Sequence, residues 1–590
     1  MAQVYRAPGV YVEEVPSALQ PIAGVGTNTA GFIGIIPEDD IEYPVPNELY
    51  DPVLAQDMRK ASIESKSGEL TEKTKEILTA QASQLSAEIK IIDQTIADFD
   101  DALTKIKGFE EQIAPLELIA EADRSDAQKQ DLAAKKQERQ NLIRSQGSLN
   151  KIEVKKSEAE DARMQKQNTL DAFNTQLNPP AAAKDGAVKN EVDSGPSELR
   201  PYRFEKFHIK PASRDTKFCT NFSEYVALFG GFSADDPAPI VDPNDPENPS
   251  KWHFKAKYPG HRALTHAVYG FFQNGGTRCY VARIKDESEL GKALEAFESI
   301  DEVALIAAPG LDASKTTWEL LETHAENNQN VFALLDCPEN VEDKDTADVD
   351  VRRLDYSNLD NVLPRRCKNA AFYFPYIEVV DPAKQLQDDD PAREVATKYR
   401  GRVYVAPSGH MAGIYARTDE ERGVYKAPAN CTVRGAIDVK YYISKPKQEV
   451  LNPQGVNCIR NLNGDIIIWG ARTVGGDRNG EWKYIGVRRL FLFLQESIDE
   501  GTQWAVFEPN DQALWGKIRL NVSAFLTNVW RSGALFGRTP EEAFYVKCDA
   551  ETNPSEVRDL GQVITEIGVA IVRPAEFVIF RISQSTNAKS

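Results

Sequence analysis

The chain lacks an excess of positive charge: 90 Asp and Glu against 70 Lys and Arg leave a formal net charge of -20. Neutralising phosphates needs a basic surface, so the balance argues against nucleic acid as a partner, and acidic proteins more often stay soluble through self-repulsion. Cysteine is sparse. The 7 present, an odd number with no Cys-x-x-Cys pair, fit neither a disulfide framework nor a zinc ribbon, and they point to synthesis in a reducing compartment. Only 6 histidines occur, scattered and never paired at metal-ligand spacing, so ordinary core or surface roles are expected. No apolar run approaches the ~20 residues that span a bilayer, which argues against direct membrane insertion. Met1 to Gly9 also lacks the apolar core of a secretory signal.

Catalytic signatures are missing as well. Gly24-Val25-Gly26 is not continued into a Gly-x-Gly-x-x-Gly, no lysine follows a glycine-rich loop, and no His-Glu-x-x-His occurs. Ser408-Gly409-His410 places a hydroxyl near an imidazole but without a nucleophile elbow, and Ser408 reads as the N-cap of the following helix. Asp242-Pro243-Asn244-Asp245-Pro246-Glu247-Asn248 has the acidity of a calcium loop, but its prolines and the missing glycine at the sixth position fit a solvated loop better. The expectation is therefore no enzyme: no catalytic residue, no cofactor and no metal.

What is present changes character along the chain, whose 590 residues allow roughly three to four domains. Residues 1–53 are Gly- and Pro-punctuated with short β-rich runs, Val10 to Val15 and Ala30 to Ile36. Residues 54–178 are polar and almost free of Gly and Pro. There Leu78, Ala82, Leu85, Ile89, Ile92, Ile96, Phe99, Leu103 and Ile106 step by fours and threes, the seam of a coiled coil. Pro115 is expected to end that first helix. A weaker seam, Leu132, Leu142, Leu149, Ile152, Leu170 and Phe173, predicts a return from about Ala127 to Leu177 that Gly147 can break, hence an inserted antiparallel hairpin. An arm over 70–113 would be ~65 Å long at about 1.5 Å per residue. Residues 179–201 read as a linker.

Residues 202–400 alternate strand and helix. Arg278 to Ile284, Val303 to Ala308, Val331 to Leu335 and Ala370 to Val379 are apolar strand runs, and Glu289 to Ser299 and Thr316 to Asn327 are amphipathic. That order predicts βαβ units on a parallel sheet covered by helices, an α/β domain. Residues 401–590 read as α+β. Their central helix follows Asn510-Asp511, either of which can cap it, and buries Leu514, Ile518, Val522, Phe525 and Val529. Lys517, Asn521, Ala524, Asn528 and Arg531 form its opposite, small and basic face. At the chain's end Phe577 and Ile579 alternate with Val578, Phe580 and Ile582, so a strand there needs cover on both sides.

Several ordered blocks resemble one family, the contractile tail sheath proteins of myophages, R-type bacteriocins and bacterial contractile injection systems. They are Pro8-Gly9-Val10-Tyr11-Val12-Glu13-Glu14; Gly275-Gly276-Thr277-Arg278-Cys279-Tyr280-Val281; Ala308-Pro309-Gly310; and Gly409-His410-Met411-Ala412-Gly413-Ile414-Tyr415-Ala416-Arg417-Thr418-Asp419, closed by Lys426 to Asn430. The run continues with Val487-Arg488-Arg489-Leu490-Phe491, Phe507-Glu508-Pro509-Asn510-Asp511, Leu514-Trp515, Ser523 to Leu526, Gly533-Ala534-Leu535-Phe536-Gly537, Glu541 to Phe544, Val546 to Asp549, and Arg573-Pro574-Ala575-Glu576-Phe577-Val578-Ile579-Phe580. Tyr425 departs from the tryptophan expected there, and the inserted hairpin has no counterpart in the compact pattern.

The resemblance implies a structural subunit that polymerises in six-fold rings around an inner tube and contracts, driving the tube through a target membrane without nucleotide. It implies N- and C-terminal arms donated to neighbouring subunits, at Val10, Tyr11, Val12, Glu13 and at Phe577, Val578, Ile579, Phe580. It also implies as partners the chain itself, an inner tube protein, a baseplate and a tail terminator or cap. Lys517, Asn521, Asn528 and Arg531 are the candidate inner-tube contact. Assembly is expected in the bacterial cytoplasm, with the particle free, released by lysis, or anchored through other components. The Gly409 to Asn430 block inclines the resemblance to a bacterial injection particle; a myophage tail and a non-contractile shell or filament are the alternatives.

Overall fold

Ala30–Ile35 (β1) is apolar on both faces, and it takes an interior place in an eight-stranded sheet. The structure is a computed structural model that describes residues 22–48, 50–57, 60, 72–117, 125–146, 149–177, 200–240, 253–328, 330–340, 363–391, 393, 395, 397–577 and 579. The other strands of this sheet are Lys217–Cys219 (β2), Cys279–Ile284 (β3), Leu305–Ala307 (β4), Phe332–Asp336 (β5), Ala370–Phe374 (β6), Val456–Leu462 (β7) and Asp465–Ile468 (β8), in the order β8-β7-β6-β5-β4-β1-β3-β2. The six inner strands are parallel, from β7 through β3. Both edges are closed by antiparallel strands, β2 on β3 and β8 on β7. The sheet therefore departs from the expected pure parallel form. It also crosses the division expected at residue 400, because β7 and β8 lie beyond it, and it draws β1 from the N-terminal segment.

Away from the sheet runs a helix of 46 residues, Glu72–Glu117 (α1), followed by Asp126–Gln146 (α2) and Leu149–Leu177 (α3). Pro115 does not end α1 but lies in its last turn, so the backbone bond it forgoes falls beside a helix end and little helix remains beyond it to be disrupted. Leu78, Ala82 and Leu85 pack with Phe173 near one end, and Ala102, Leu103 and Ile106 with Ile152 farther along. Ion pairs fix an antiparallel register: Lys166 with Glu88 at 2.9 Å, Lys156 with Asp100 at 2.7 Å, Arg139 with Glu110 at 2.5 Å. Such exposed pairs add little stability. Ile92, Ile96 and Phe99 are only half-buried, because the facing stretch of α3 offers Lys156, Ala159 and Ala162 in place of large apolar side chains.

The sheet is covered on both faces. Phe32 of β1 belongs to a core with Leu264, Val268 and Phe271 of Pro259–Gln273 (α4) and with Met411, Ala412 and Tyr415 of a helix farther along the chain. The next residue, Ile33, belongs to the opposite core, with Leu290, Leu294 and Phe297 of Leu290–Phe297 (α5) and Trp318 and Leu321 of Lys315–Asn327 (α6). Alternate side chains of a strand point to opposite faces, so one strand is buried twice. Ser408–Arg422 (α7) lies against α4 at unusually close range. A Cβ on Gly409 would lie 2.3 Å from the Ala267 Cα and one on Gly413 2.3 Å from the Phe271 carbonyl oxygen, so only glycine admits this approach at those two positions.

A third core joins Ile485–Thr502 (α8) and Gln512–Arg531 (α9) through Leu490, Leu494, Ile518, Val522 and Phe525, with Ile22 from the N-terminal segment. Asp511, not Asn510, caps α9, its carboxylate accepting from the Ala513 and Leu514 amides at 2.9 Å each. Asn510 instead accepts from the Trp515 indole at 2.8 Å. All seven cysteines are free, and among the described residues no helix is long and apolar enough to cross a membrane.

Candidate assembly site

Neither terminal strand expected from the sequence is described in full. Val10, Tyr11, Val12, Glu13, Val578 and Phe580 lie outside the described residues, and Phe577 and Ile579 are exposed, at 69% and 79%. The roots of both ends are described, and each is held by an arginine and a carboxylate.

At the N-terminal root the Val25 amide donates to Ser497 Oγ at 3.1 Å, and the Thr27 hydroxyl donates to Asp419 Oδ2 at 2.6 Å. Arg489 grips the same carboxylate through two nitrogens, at 2.8 and 2.6 Å, and donates to the Thr27 carbonyl at 2.8 Å. Both side chains of this pair are about 5% exposed or less. The guanidinium also lies 4.8 Å from the centre of the Tyr415 ring, whose hydroxyl pairs with that of Tyr373 on β6 at 2.7 Å. Two residues farther on, the Thr29 carbonyl accepts from the Ala304 and Leu305 amides at 3.0 and 3.1 Å, and the chain enters β1. Asp419 and Arg489 stand in two separate motif blocks, Gly409 to Asp419 and Val487 to Phe491. The fold brings these blocks together.

At the C-terminal root Glu576 accepts from Arg472 Nε and Nη2 at 2.8 Å each, from Asn452 at 2.7 Å and from the Tyr484 hydroxyl at 2.9 Å. Partial burial raises the affinity of this carboxyl for a proton, but the Arg472 and Asn452 hydrogen bonds outweigh it and hold the group below the usual carboxylate range. Arg472 is itself buried and fixed. It donates to the Asn452 carbonyl at 3.0 Å and to Asp477 at 3.1 Å, and its backbone amide and carbonyl are both paired at 2.8 Å with the Asn457 side chain of β7.

Phe544–Lys547 and Glu566–Val569 form an antiparallel ribbon of two strands. Among the described residues no third strand flanks it, and Tyr545 is exposed at 58%. A two-stranded ribbon is marginal alone, and its open edges are templates for an added strand.

On α9 the structure brings Lys517, Ala524, Asn528 and Arg531 to the exposed side together with Leu520, but Asn521 is buried at 1% and is removed from that face. Its position is one step toward the stripe of Ile518, Val522 and Phe525, so the exposed face runs 517, 520, 524, 528, 531. The Ser408 hydroxyl donates to Asp336 at 2.6 Å and its amide to the same carboxylate at 2.8 Å. Ser408 is thus the first residue of α7 rather than its N-cap, and Asp336, whose carboxyl burial raises to about 6, caps the helix from the end of β5. His410 is buried against Gly270, and burial lowers its imidazole to about 3. Among the described residues no group of three or more His, Cys, Asp or Glu is arranged to hold a metal. The calcium-like loop at 242–248 lies outside the described residues. Sequence reasoning did not single out Arg472 or Asn457, and no spacing rule could have joined Arg472 to Glu576, which stands 104 residues away.

The chain matches two family models, the phage tail sheath protein central domain over residues 286–474 and the phage tail sheath C-terminal domain over residues 477–585, together about half of its length. It is similar to the tail sheath protein of Vibrio phage KVP40, at 25% identity over 197 residues, covering 32% of this chain and 28% of that protein. It is also similar to a prophage major tail sheath protein of Pseudomonas aeruginosa strain UCBPP-PA14, at 25% identity over 288 residues, covering 47% of this chain and 64% of that one. The chain thus spans less than two thirds of either relative. Among solved structures it resembles the contracted PVC sheath of an extracellular contractile injection system, with a TM-score of 0.49 and 27% identity over 64% of this chain and 88% of that one.

Proposed function

Because this chain belongs to the contractile tail sheath family, we propose that it is the sheath subunit of a contractile particle, polymerising around an inner tube and contracting to drive that tube through a target membrane. The observation that carries this reading is the pair of family matches running from residue 286 to residue 585 with almost no break. Baseplate, inner tube and terminator are the partners this role requires, and assembly inside the bacterial cell follows from it. No cofactor and no catalytic step enter the stroke: the free energy resides in subunit interfaces that have two packings.

In this reading the two ends, 1–21 and 577–590, are arms that add to a neighbour's sheet. The open ribbon of Phe544–Lys547 and Glu566–Val569 is the acceptor that supports it. Main-chain pairing of this kind survives rotation of the bodies it joins, so linked subunits move without separating. Residues 54–178 act as an inserted coiled-coil hairpin on the linker 179–201, either a spacer or an arm for docking neighbouring sheath subunits or an outer partner. Within the body the α/β part, 202–400, takes a strand from residues 1–53 and two more, β7 and β8, from the C-terminal part, 401–590, so the two parts share one sheet.

Electron microscopy of the purified protein tests the role. Long tubes are expected, since the contacts of the relaxed state are between identical subunits. A protein that stays monomeric at high concentration contradicts it. Native particles separate the variants of the role: a capsid on the tail identifies a phage, a free or membrane-bound particle an injection system, and absence of a second, shorter state a static shell.

The exposed side of α9 is the proposed grip on the inner tube in the extended state. Reversing charge at Lys517 and Arg531 together is expected to leave contracted tubes intact and to make extended particles rare at low salt. Each exposed contact contributes only ~0.2–1 kcal/mol, but every subunit repeats it. Wild-type proportions of extended particles in the double variant return both residues to ordinary solvated charges.

A further inference from the structure

We propose that Arg472 is a latch that fixes where the C-terminal arm leaves the body, by gripping Glu576 one residue before the arm begins. This inference rests on the sheath role proposed above. Upstream of Glu576 the chain is last paired where the Val572 amide donates to the Ala534 carbonyl at 3.2 Å. Downstream, Phe577 and Ile579 project into solvent. Between them one side chain takes four hydrogen bonds from three residues, Arg472, Asn452 and Tyr484. A guanidinium in bidentate contact with a carboxylate fixes direction as well as distance.

The mount behind the latch is rigid. Arg472 is buried, its backbone is held on both sides by Asn457, and Asn457 belongs to β7 of the central sheet, with its amide nitrogen also 3.2 Å from the Phe372 carbonyl of β6. The other end of the chain enters the same sheet at β1, through Thr27 and Thr29. Pull on either arm therefore reaches one sheet, and the subunit is a stiff link between two neighbours. Releasing the latch would add residues 573–576 to the free arm. The donated strand would then search a larger volume before pairing, with the loss of affinity that lost preorganisation brings.

The test uses the full chain. Glu576→Gln keeps the shape and removes the charge; Tyr484→Phe removes a single donor. In dispersed subunits hydrogen exchange of the Val572 amide, the last one paired before the latch, is expected to quicken about tenfold or more in Glu576→Gln and about threefold in Tyr484→Phe, with β7 unchanged. In assembly, the lowest protein concentration that gives tubes is expected to rise by similar factors. Far-UV circular dichroism should match the wild type in both variants, and if Glu576→Gln does not fold, the smaller Tyr484→Phe shift still decides. Wild-type exchange at Val572, or wild-type assembly thresholds in both variants, overturns the latch while leaving the sheath role standing. Failure of the wild type itself to form tubes removes the sheath role, a different outcome read from a different sample.

Discussion

Asp419→Ala is expected to lower the stability of the dispersed subunit by about 3–5 kcal/mol, the cost of leaving a buried guanidinium without its carboxylate. Arg489 is buried: its side chain is 4% exposed, it points at Asp419 through two nitrogens, and the ring of Tyr415 lies across it. Removing the carboxylate also frees the Thr27 hydroxyl, so the N-terminal root should loosen before the body unfolds. Urea denaturation followed by tryptophan fluorescence measures the first effect, and hydrogen exchange at 25–29 measures the second. A change below about 1 kcal/mol would mean that the pair is hydrated in solution and that the root is held by something else. Replacing both partners by apolar residues should cost much less than removing one, because the penalty lies in the unpaired charge.

The largest effect on assembly is expected from the ends. Deleting residues 1–16, or 577–590, should leave a folded body with wild-type circular dichroism, because each cut falls outside the described root, before Ile22 or after Glu576. Polymerisation should be lost altogether in either deletion, since main-chain pairing between subunits disappears and the remaining contacts are side-chain contacts between moving bodies. The two deletions together should behave as each one alone. Contractile sheaths assembled from either truncated protein would defeat strand donation, and a body that unfolds on losing residues 1–16 would show that those residues pair within their own subunit.

Much of the architecture was legible because it rests on periodicity. The seam from Leu78 to Ile106 gave the long helix, and the apolar runs at 278–284, 303–308 and 331–335 gave strands of the sheet. Local pattern could not show that Ala30–Ile35 inserts between β3 and β4, since strand neighbours are chosen by topology and not by sequence distance. Nor could it show that 456–468 completes one edge. Pro115 was read as a stop because a proline in a helix interior breaks it, and the structure places it where the helix was about to end.

The candidate site was legible only as motifs. Asp419, Arg489 and Glu576 each stood inside a block that the family resemblance picked out, yet nothing local tied Asp419 to Arg489 or Glu576 to Arg472. Asn521 was misplaced for a geometric reason. On a helix of 3.6 residues per turn, positions 517 and 521 drift apart by some 40°, enough to carry Asn521 from the exposed side into the stripe of Ile518, Val522 and Phe525.

The most direct test of the woven subunit is a helical reconstruction by electron cryo-microscopy of tubes formed by the wild-type protein. Residues 10–13 and 577–580 of one copy are expected as strands against Phe544–Lys547 or Glu566–Val569 of other copies, with Glu576 still seated on Arg472. Tubes in which both ends fold back onto their own subunit, leaving that ribbon open, would contradict it.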